Sequence, residues 1–264
     1  MTRRPLAGRS VVVTRTREQS SALASQLRGL GADVVELPVI AIEDPADGGE
    51  GLRRAAGRLV AGGYAWVACT STNAASRLLA ALAGRTVPGS VRWAAVGPGT
   101  AGALARGGIT AELVPPVAVS DDLADAFPAL EPPGSATVLF PRAESVRGAL
   151  AEGLRDRGWR VDEVVAYRTV AGAPPPEAVA AAGRAGVIAF TSSSTVERTV
   201  DLLGADGVPP LVVTIGPLTT DSARRSGLTV ARQASPHTIE GLVAAVVGAV
   251  VEAAAAGPDA ARSP

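Results

Sequence analysis

Two copies of one sequence pattern follow each other along this chain of 264 residues. Residues 11–15 (VVVTR) resemble residues 138–142 (VLFPR), and residues 69–71 (CTS) resemble residues 190–192 (FTS). Further matches keep the same order: Leu23 with Leu150, Leu27 with Leu154, Gly31 with Gly158, and 96–100 (VGPGT) with 215–219 (IGPLT). Because a repeated pattern indicates a repeated structural unit, the sequence predicts two copies of one fold, which by itself divides the chain into two contiguous halves.

Each copy alternates strand-like and helix-like segments. Residues 11–14 are a β-branched run of the kind that parallel sheets bury on both faces. In the next segment, Leu23, Leu27 and Leu30 share one face of a helix predicted over residues 19–30. This alternation predicts an α/β fold, with parallel sheets that carry helices on both faces.

The same patterns give the remaining elements. In the first copy we predict strands over 34–42, 64–69, 91–96 and 112–114, and helices over 74–82, 100–106 and 121–127. In the second copy we predict strands over 137–140, 161–167, 187–190, 211–215 and 229–232, and helices over 147–157, 196–203, 219–225 and 239–255. Three segments rich in Gly, Pro or acidic residues are predicted linkers: 42–51, 131–134 and 172–176.

Composition excludes several classes of function. The 25 basic residues, all arginine, balance 25 acidic ones, and aromatic residues make up 3%, which argues against a nucleic-acid partner. One Cys and one His exclude an internal disulfide and a metal site built on Cys or His clusters. The longest apolar stretch, 241–251, is shorter than the roughly 20 residues that span a bilayer, and the start of the chain has no signal-peptide pattern. We therefore expect a soluble, cytoplasmic protein that does not contact a membrane.

Hydroxyl side chains follow four of the predicted strands. Ser71, Thr100, Ser192 and Thr219 each stand where a strand turns into a helix. Such residues commonly cap the helix that follows, and this structural role explains any one of them. As a set they indicate more, because ligands of open α/β sheets bind outside the carboxyl ends of the strands and helix N-termini attract anions. The pattern favours a polyanion site, in which loss of any single hydroxyl has a mild effect because backbone donors remain.

Other motifs admit two interpretations each. Residues 97–102 match the GxGxxG pattern of dinucleotide sites, but the second copy has Leu218 in place of Gly99, which favours a simple tight turn. His237 has no evident nucleophile or acid partner and is interpreted as a surface or capping residue. Cys69 ends an apolar strand and is interpreted as a packing residue.

Three side chains are candidates for binding or chemistry. Arg15 and Arg142 occupy equivalent turns in the two copies and are suited to bind a ligand carboxylate, although a solvated arginine is equally compatible with the sequence. Tyr167 stands near a predicted strand end, where a phenol serves either core packing or hydrogen-bond donation to a leaving hydroxyl as a weak general acid.

Motifs along the whole chain resemble those of the uroporphyrinogen-III synthase family. They are, in order, VVVTR (11–15), LGADVVELPVIAI (30–42), CTSTNA (69–74), AVGPGTA (95–101), LFPRA (139–143), VVAYRT (164–169), AFTSSST (189–195) and TIGPLTT (214–220). The resemblance implies two similar, flavodoxin-like parallel-sheet domains with a cleft between them, joined by a two-stranded β-ladder. Domain 1 would comprise 1–38 and 170–264 and domain 2 would comprise 42–166, with ladder strands at 39–44 and 164–169.

The resemblance also implies a reaction. Members of this family cyclise the linear tetrapyrrole hydroxymethylbilane to uroporphyrinogen III, with inversion of ring D and loss of water, and need no cofactor or metal. It implies that Tyr167 assists departure of the hydroxyl group and that cleft-lining hydroxyls bind the eight-carboxylate substrate: Ser71, Thr100, Ser192 and Thr219. We expect a monomeric hydro-lyase of haem biosynthesis, with Arg15 and Arg142 as further candidates for carboxylate binding. The alternative is a non-catalytic two-domain clamp for a polyanion or a nucleotide, which a phosphate held by residues 97–102 would favour.

Overall fold

The chain forms two compact units in the computed structural model. The structure describes residues 4–14, 17–116, 120–145 and 149–255, without the side chains of residues 17–21 and 120. Unit 1 combines Met1–Ala41 with Val170–Pro264, and unit 2 is Ile42–Thr169. The two ends of the chain therefore share one unit, and the middle of the chain forms the other.

Strands and helices alternate in both units. The strands are β1 (Ser10–Val13), β2 (Asp33–Glu36), β3 (Ile40–Glu43), β4 (Trp66–Cys69), β5 (Arg92–Ala95), β6 (Thr137–Ala143), β7 (Arg160–Ala171), β8 (Val187–Phe190), β9 (Leu211–Thr214) and β10 (Val230–Gln233). The helices are α1 (Arg17–Gly29), α2 (Glu50–Val60), α3 (Thr72–Leu82), α4 (Pro98–Arg106), α5 (Ser120–Ala126), α6 (Ala149–Asp156), α7 (Pro176–Ala182), α8 (Ser193–Leu203), α9 (Pro217–Arg225) and α10 (Ile239–Ala255). A short 3₁₀ turn follows α8 at Ala205–Gly207.

Each unit contains one five-stranded sheet. In unit 1 the strand order is β2-β1-β8-β9-β10, and all four neighbouring pairs are parallel. In the second sheet the order is β3-β7-β6-β4-β5, in which β7, β6, β4 and β5 pair in parallel. A single parallel bridge from Ala94 to Leu113 continues this sheet beyond β5. The prediction of an α/β protein with parallel sheets is therefore confirmed.

Equivalent parts of the sequence repeat occupy equivalent places in the two sheets. Strands β1 and β2 pair with Val11 opposite Val34, and β6 and β7 pair with Val138 opposite Val161. However, β1 and β2 of the first copy lie in one sheet with β8, β9 and β10 of the second copy. The division into contiguous halves that the repeat alone suggests is wrong, because each βαβ segment pairs with strands from the other copy.

Burial on both faces of the central strands explains their apolar sequences. In β1, Val11 and Val13 belong to the apolar cluster on one face, Val12 belongs to the cluster on the other, and all three are fully buried. Strand β6 repeats this arrangement, with Leu139 on one face and Val138 on the other. A strand without a solvent face has no polar alternation, which is the pattern that the sequence shows.

Several predicted boundaries differ from the structure. The segment predicted as one strand over 34–42 is two strands, β2 and β3, which are edge strands of different sheets, and Pro38 lies in the connection between them. The segment 112–114 makes only the bridge at Leu113. Helices α2 and α7 begin at or near the ends of the predicted linkers 42–51 and 172–176, and neither was predicted. Helix α2 does carry a helical pattern, because Leu52, Ala55, Ala56 and Leu59 share its buried face, whereas the seven mostly small residues of α7 do not.

Candidate active site

Two helices begin side by side at the carboxyl edge of the unit 2 sheet. Strands β4 and β5 are parallel neighbours, and each turns directly into a helix, α3 and α4 respectively. The helix starts are close enough that a Cβ atom added to Gly99 would lie 3.9 Å from the Thr72 methyl group. Backbone N–H groups in the first turn of a helix have no i−4 partner, so adjacent helix starts offer hydrogen-bond donors wherever a cap does not already use them.

Ser71 connects one of these helix starts to Tyr167. Its Oγ atom accepts a hydrogen bond of 3.1 Å from the backbone N–H of Ala74, which makes Ser71 the N-cap of α3. The same Oγ atom accepts a second hydrogen bond, also of 3.1 Å, from the phenol of Tyr167. The structure thus brings together two residues that lie far apart in the sequence and were both predicted as site residues.

An irregularity in β7 places Tyr167 at this edge. Arg142 of β6 is paired with Val165, but the next residue of β6, Ala143, is paired with Tyr167. Strand β7 therefore carries one extra residue, Ala166, at this point. Because one extra residue reverses the face to which later side chains point, the bulge decides where the phenol lies.

Thr100 lies in the first turn of α4 and is buried. Its own N–H bonds to the carbonyl of Gly97 at 3.1 Å, so the GxGxxG segment is the start of a helix with Pro98 at its first position. Gly97 is extended, with φ −175°, and Gly216 at the matching place in unit 1 is extended as well, with φ −173°. The second copy follows this path with Leu218 where the first has Gly99, so the path does not depend on the second glycine of the motif.

Unit 1 repeats the pair of adjacent helix starts. Ser192 is the N-cap of α8, and the neighbouring Ser193 donates a hydrogen bond of 3.1 Å to the carbonyl of Leu218 in α9. The Ser192 hydroxyl lies 3.1 Å from that of Ser194 and does not bond the helix backbone. Thr219 is buried in the first turn of α9, as Thr100 is in α4.

A set of hydroxyls below the α9 start was missed by the sequence analysis. Thr220 bonds the Thr214 hydroxyl at 2.6 Å, the Gln233 amide at 2.7 Å and the Gly216 carbonyl at 3.1 Å. Thr14, at the end of β1, is fully buried, and among the described residues its hydroxyl has no hydrogen-bond partner. Their signal in the sequence is weak, because buried threonines also occur in ordinary strand ends.

The two candidate arginines have different outcomes. Arg142 lies in β6 with its Nε 3.1 Å from a Glu163 carboxylate oxygen, and its Nη1 donates to the carbonyls of Ala143 and Glu144. Its charge is thus already compensated by a carboxylate of β7, which a ligand would have to share. Arg15 lies outside the described residues.

Cys69 and His237 are placed as interpreted from the sequence. The Cys69 side chain is fully buried, and burial raises the pKa of its thiol to about 12, so the thiol stays protonated at neutral pH. His237 is exposed and its ring lies over Gly216, so that a Cβ added there would be 3.4 Å from the imidazole. Within the described segments, no group of three or more His, Cys, Asp or Glu side chains is arranged to hold a metal ion. The described helices include none with the length and apolar character required for a membrane span.

These features define an α/β protein whose parallel sheets each carry a pair of adjacent helix N-termini at the carboxyl edge, where ligands of open α/β sheets bind. Comparison with known proteins gives the family. The model of the HEM4 family, described as uroporphyrinogen-III synthase HemD, matches residues 21–244. A uroporphyrinogen-III synthase from Synechococcus elongatus is 31% identical over 263 residues, which cover 93% of this chain and 97% of that protein. The chain belongs to the uroporphyrinogen-III synthase family.

Two solved structures of uroporphyrinogen III synthases resemble this chain in fold. A mutant uroporphyrinogen III synthase from the extremely thermophilic bacterium Thermus thermophilus superposes with a TM-score of 0.62 at 20% identity, covering 93% of this chain and 100% of that chain. A uroporphyrinogen-III synthetase from Helicobacter pylori gives a TM-score of 0.58 at 14% identity, covering 91% of this chain and 99% of that chain. At these identities the likeness concerns the fold.

Proposed function

We propose that the protein cyclises hydroxymethylbilane to uroporphyrinogen III, with inversion of ring D and loss of water, as a hydro-lyase of haem biosynthesis. Family membership supports the reaction, and the observation that carries it to this chain is the Tyr167 phenol held at the N-terminus of α3. A reaction that expels hydroxide gains from a proton donor, which a phenol at this edge can provide, and both comparisons by sequence point to an enzyme family. The non-catalytic clamp is therefore not favoured.

The helix starts are the proposed binding groups for the substrate carboxylates. First-turn N–H groups and the helix dipole attract anions, and both units present adjacent helix starts: α3 with α4, and α8 with α9. Ser71, Thr100, Ser192 and Thr219 stand in these turns. Arg15 and Arg142 remain candidates, with Arg142 binding a carboxylate alongside Glu163. Donors of this kind hold a polyanion without an excess of basic residues, which agrees with a net charge of zero.

The catalytic contribution is control of shape. Departure of the hydroxyl group is assisted by the lone pair of the adjacent pyrrole nitrogen, so we propose that the reaction needs no cofactor. The product isomer depends on which pyrrole carbon attacks, and holding the flexible chain in one conformation favours one attack over the other.

For the domains we propose the family arrangement. Residues 1–38 with 170–264, and residues 42–166, would be flavodoxin-like domains, linked by a ladder of 39–44 and 164–169. The order β2-β1-β8-β9-β10 supports this proposal, because it corresponds to the 2-1-3-4-5 order of flavodoxin-like sheets, and so does the position of β3 beside β7. We further propose a monomer in the cytoplasm, where a chain with a single cysteine keeps its thiol reduced.

The product isomer tests the reaction. Hydroxymethylbilane is generated enzymatically, the purified protein is added, and the uroporphyrinogens are oxidised and separated by chromatography. We expect isomer III to replace the isomer I that forms by closure without inversion. An isomer ratio identical to that of the buffer control would contradict the proposed function.

A further inference from the structure

We infer that Ser71 is the catalytic residue that donates a proton to the departing hydroxyl group of the substrate, and that Tyr167 acts through Ser71 as a positioning residue. This inference rests on the proposed function. It concerns which of the two hydroxyl groups meets the substrate, a point that the sequence motifs leave open. Three independent features carry it: the burial of the two side chains, the hydrogen-bonding capacity of Ser71, and the different surroundings of the equivalent Ser192 cap.

Burial separates the two hydroxyl groups. Tyr167 is only 7% exposed and belongs to the apolar cluster between the unit 2 sheet and the helices α2, α3 and α4. Ser71 is half-buried, at the turn between β4 and α3. A ligand at this edge therefore reaches Ser71 directly, whereas the phenol is reached through the serine to which it is bonded.

The hydrogen bonds that Ser71 accepts leave its donor hydrogen available to a ligand. A hydroxyl group has two acceptor lone pairs and one donor hydrogen. Both lone pairs of Ser71 are used, one by the N–H of Ala74 and one by the phenol of Tyr167, each at 3.1 Å. What remains is the O–H of Ser71, so the group that this side chain offers to a ligand is a donor. Two incoming donors also polarise this O–H and strengthen its own donation, since hydrogen bonds in chains reinforce one another.

The proton movements balance along this chain of hydroxyls. As the C–O bond of the hydroxymethyl group breaks, its electron pair stays on oxygen, and the pyrrole nitrogen lone pair forms the new C=N bond of the azafulvene. The departing oxygen takes the proton of Ser71 and leaves as water, and Ser71 takes the proton of Tyr167. The phenolate recovers a proton when the pyrrole carbon that forms the new C–C bond loses its hydrogen and the ring becomes aromatic again.

The Ser192 cap in unit 1 has a different arrangement. Its hydroxyl is close to those of Ser194 and Thr195, at 3.1 and 3.5 Å, and it does not accept from the N-terminal backbone of α8. Both tyrosines of the chain, Tyr64 and Tyr167, lie in unit 2. The two caps are equivalent in the sequence repeat, yet of the pair it is Ser71 that bonds a phenol, so the structure assigns the proton donor to unit 2.

The test measures kcat and KM for formation of isomer III in five variants: Ser71→Ala, Ser71→Thr, Ser71→Asn, Tyr167→Phe and the double variant Ser71→Ala/Tyr167→Phe. Loss of a positioned general acid lowers rates by about 100-fold or more, and we expect this loss in kcat for Ser71→Ala with KM within about 3-fold of the wild type. This expectation departs from the mild effect predicted for each single hydroxyl from the sequence, which we keep for Thr100, Ser192 and Thr219. Ser71→Thr keeps the hydroxyl and should retain most of the rate. Ser71→Asn keeps a capping side chain but its amide releases no proton, so it should lose rate as alanine does while its melting temperature stays near the wild type.

Tyr167→Phe distinguishes action through Ser71 from direct action. We expect it to lower kcat in the wild-type background and to have no further effect in the Ser71→Ala background, because the phenol then has nothing to act through. Tyr64→Phe is the matched control: this buried phenol bonds Asp162 and lies before β4, at the opposite end of that strand from Ser71, so its loss should leave kcat unchanged.

Two results would overturn the inference. One is a Ser71→Ala or Ser71→Asn variant with wild-type kcat, and the other is a Tyr167→Phe substitution whose effect multiplies fully with that of Ser71→Ala. Either result can occur in a protein whose wild type forms isomer III normally, so failure of this inference is distinguishable from failure of the proposed function, which would show in the wild type itself.

Discussion

The hydrogen bond between Tyr167 and Ser71 predicts that a second substitution rescues the first. Ser71→Ala removes the N-cap of α3 and leaves the buried Tyr167 hydroxyl without its hydrogen-bond partner. Tyr167→Phe then removes that orphaned hydroxyl. We expect the double variant to be more stable towards unfolding than Ser71→Ala alone, although each single substitution destabilises the wild type.

The magnitudes follow from the burial of each partner. Replacing an N-cap serine by alanine costs about 1 kcal/mol, and leaving a buried hydroxyl unpaired costs about 1–3 kcal/mol, so the free energy of unfolding should fall by about 2–4 kcal/mol in Ser71→Ala. Tyr167→Phe should cost only about 0.5–1.5 kcal/mol, because the half-buried Ser71 can bond water instead. The double variant loses the cap and the bond but has no orphaned group, so it should lie about 1–2 kcal/mol below the wild type.

The tryptophans make the assay specific for the affected unit. All three of them, Trp66, Trp93 and Trp159, lie in unit 2, so their fluorescence during urea unfolding follows the unit that contains Ser71 and Tyr167. The free energies come from linear extrapolation of the unit 2 transition. The reasoning is refuted if Tyr167→Phe lowers stability in the Ser71→Ala background as much as it does in the wild type.

Three further outcomes follow from the environments of single residues in unit 2. Gly158 has φ +88° and an added Cβ would lie 2.7 Å from a backbone carbonyl oxygen, so Gly158→Ala should cost at least about 1–3 kcal/mol in urea unfolding, and more than Gly84→Ala, where φ is +76° but the space is open. Cys69, buried and with its pKa raised to about 12, should resist a thiol reagent at pH 8 in the folded protein and react fully in urea; rapid labelling without denaturant would contradict its packing. Burial and the hydrogen bond to Asp162 raise the pKa of Tyr64 to about 12, so the folded state holds a proton that the unfolded state releases above about pH 10. The contribution of Tyr64 to the free energy of unfolding should therefore be lost between about pH 10 and 12, and Tyr64→Phe should reduce the fall of the urea midpoint over this range. A midpoint that falls equally steeply in Tyr64→Phe would contradict the raised pKa.

The strand and helix pattern was readable because it reflects burial. The run at 11–13 is buried on both faces, and Leu23 and Leu27 are fully buried on one side of α1, so the chemistry of each segment matches its surroundings. The predicted bounds of helix α10 match the observed ones, because its seventeen residues contain no proline and form a segment too long for an ordinary strand. Helix α7 was missed, since seven mostly small residues between prolines and glycine carry too little periodicity to identify a helix.

The candidate site was predictable in parts. Hydroxyls at strand ends follow from local sequence, and Ser71 and Ser192 are indeed N-caps. Their difference was not predictable, because it depends on whether a phenol reaches the cap. That contact depends on an extra residue in β7 beside Ala143, and a bulge leaves no reliable mark in an apolar strand.

By itself, the sequence determined the α/β class, the repeated pattern and the family, because periodicity and ordered motifs are local properties that survive any arrangement of the segments. The tertiary structure decided which βαβ segment joins which sheet, that Arg142 forms an ion pair with Glu163, and that Tyr167 bonds Ser71. These outcomes depend on strand order and register, which are fixed by contacts between residues distant in the chain and are therefore not written in any one stretch of it.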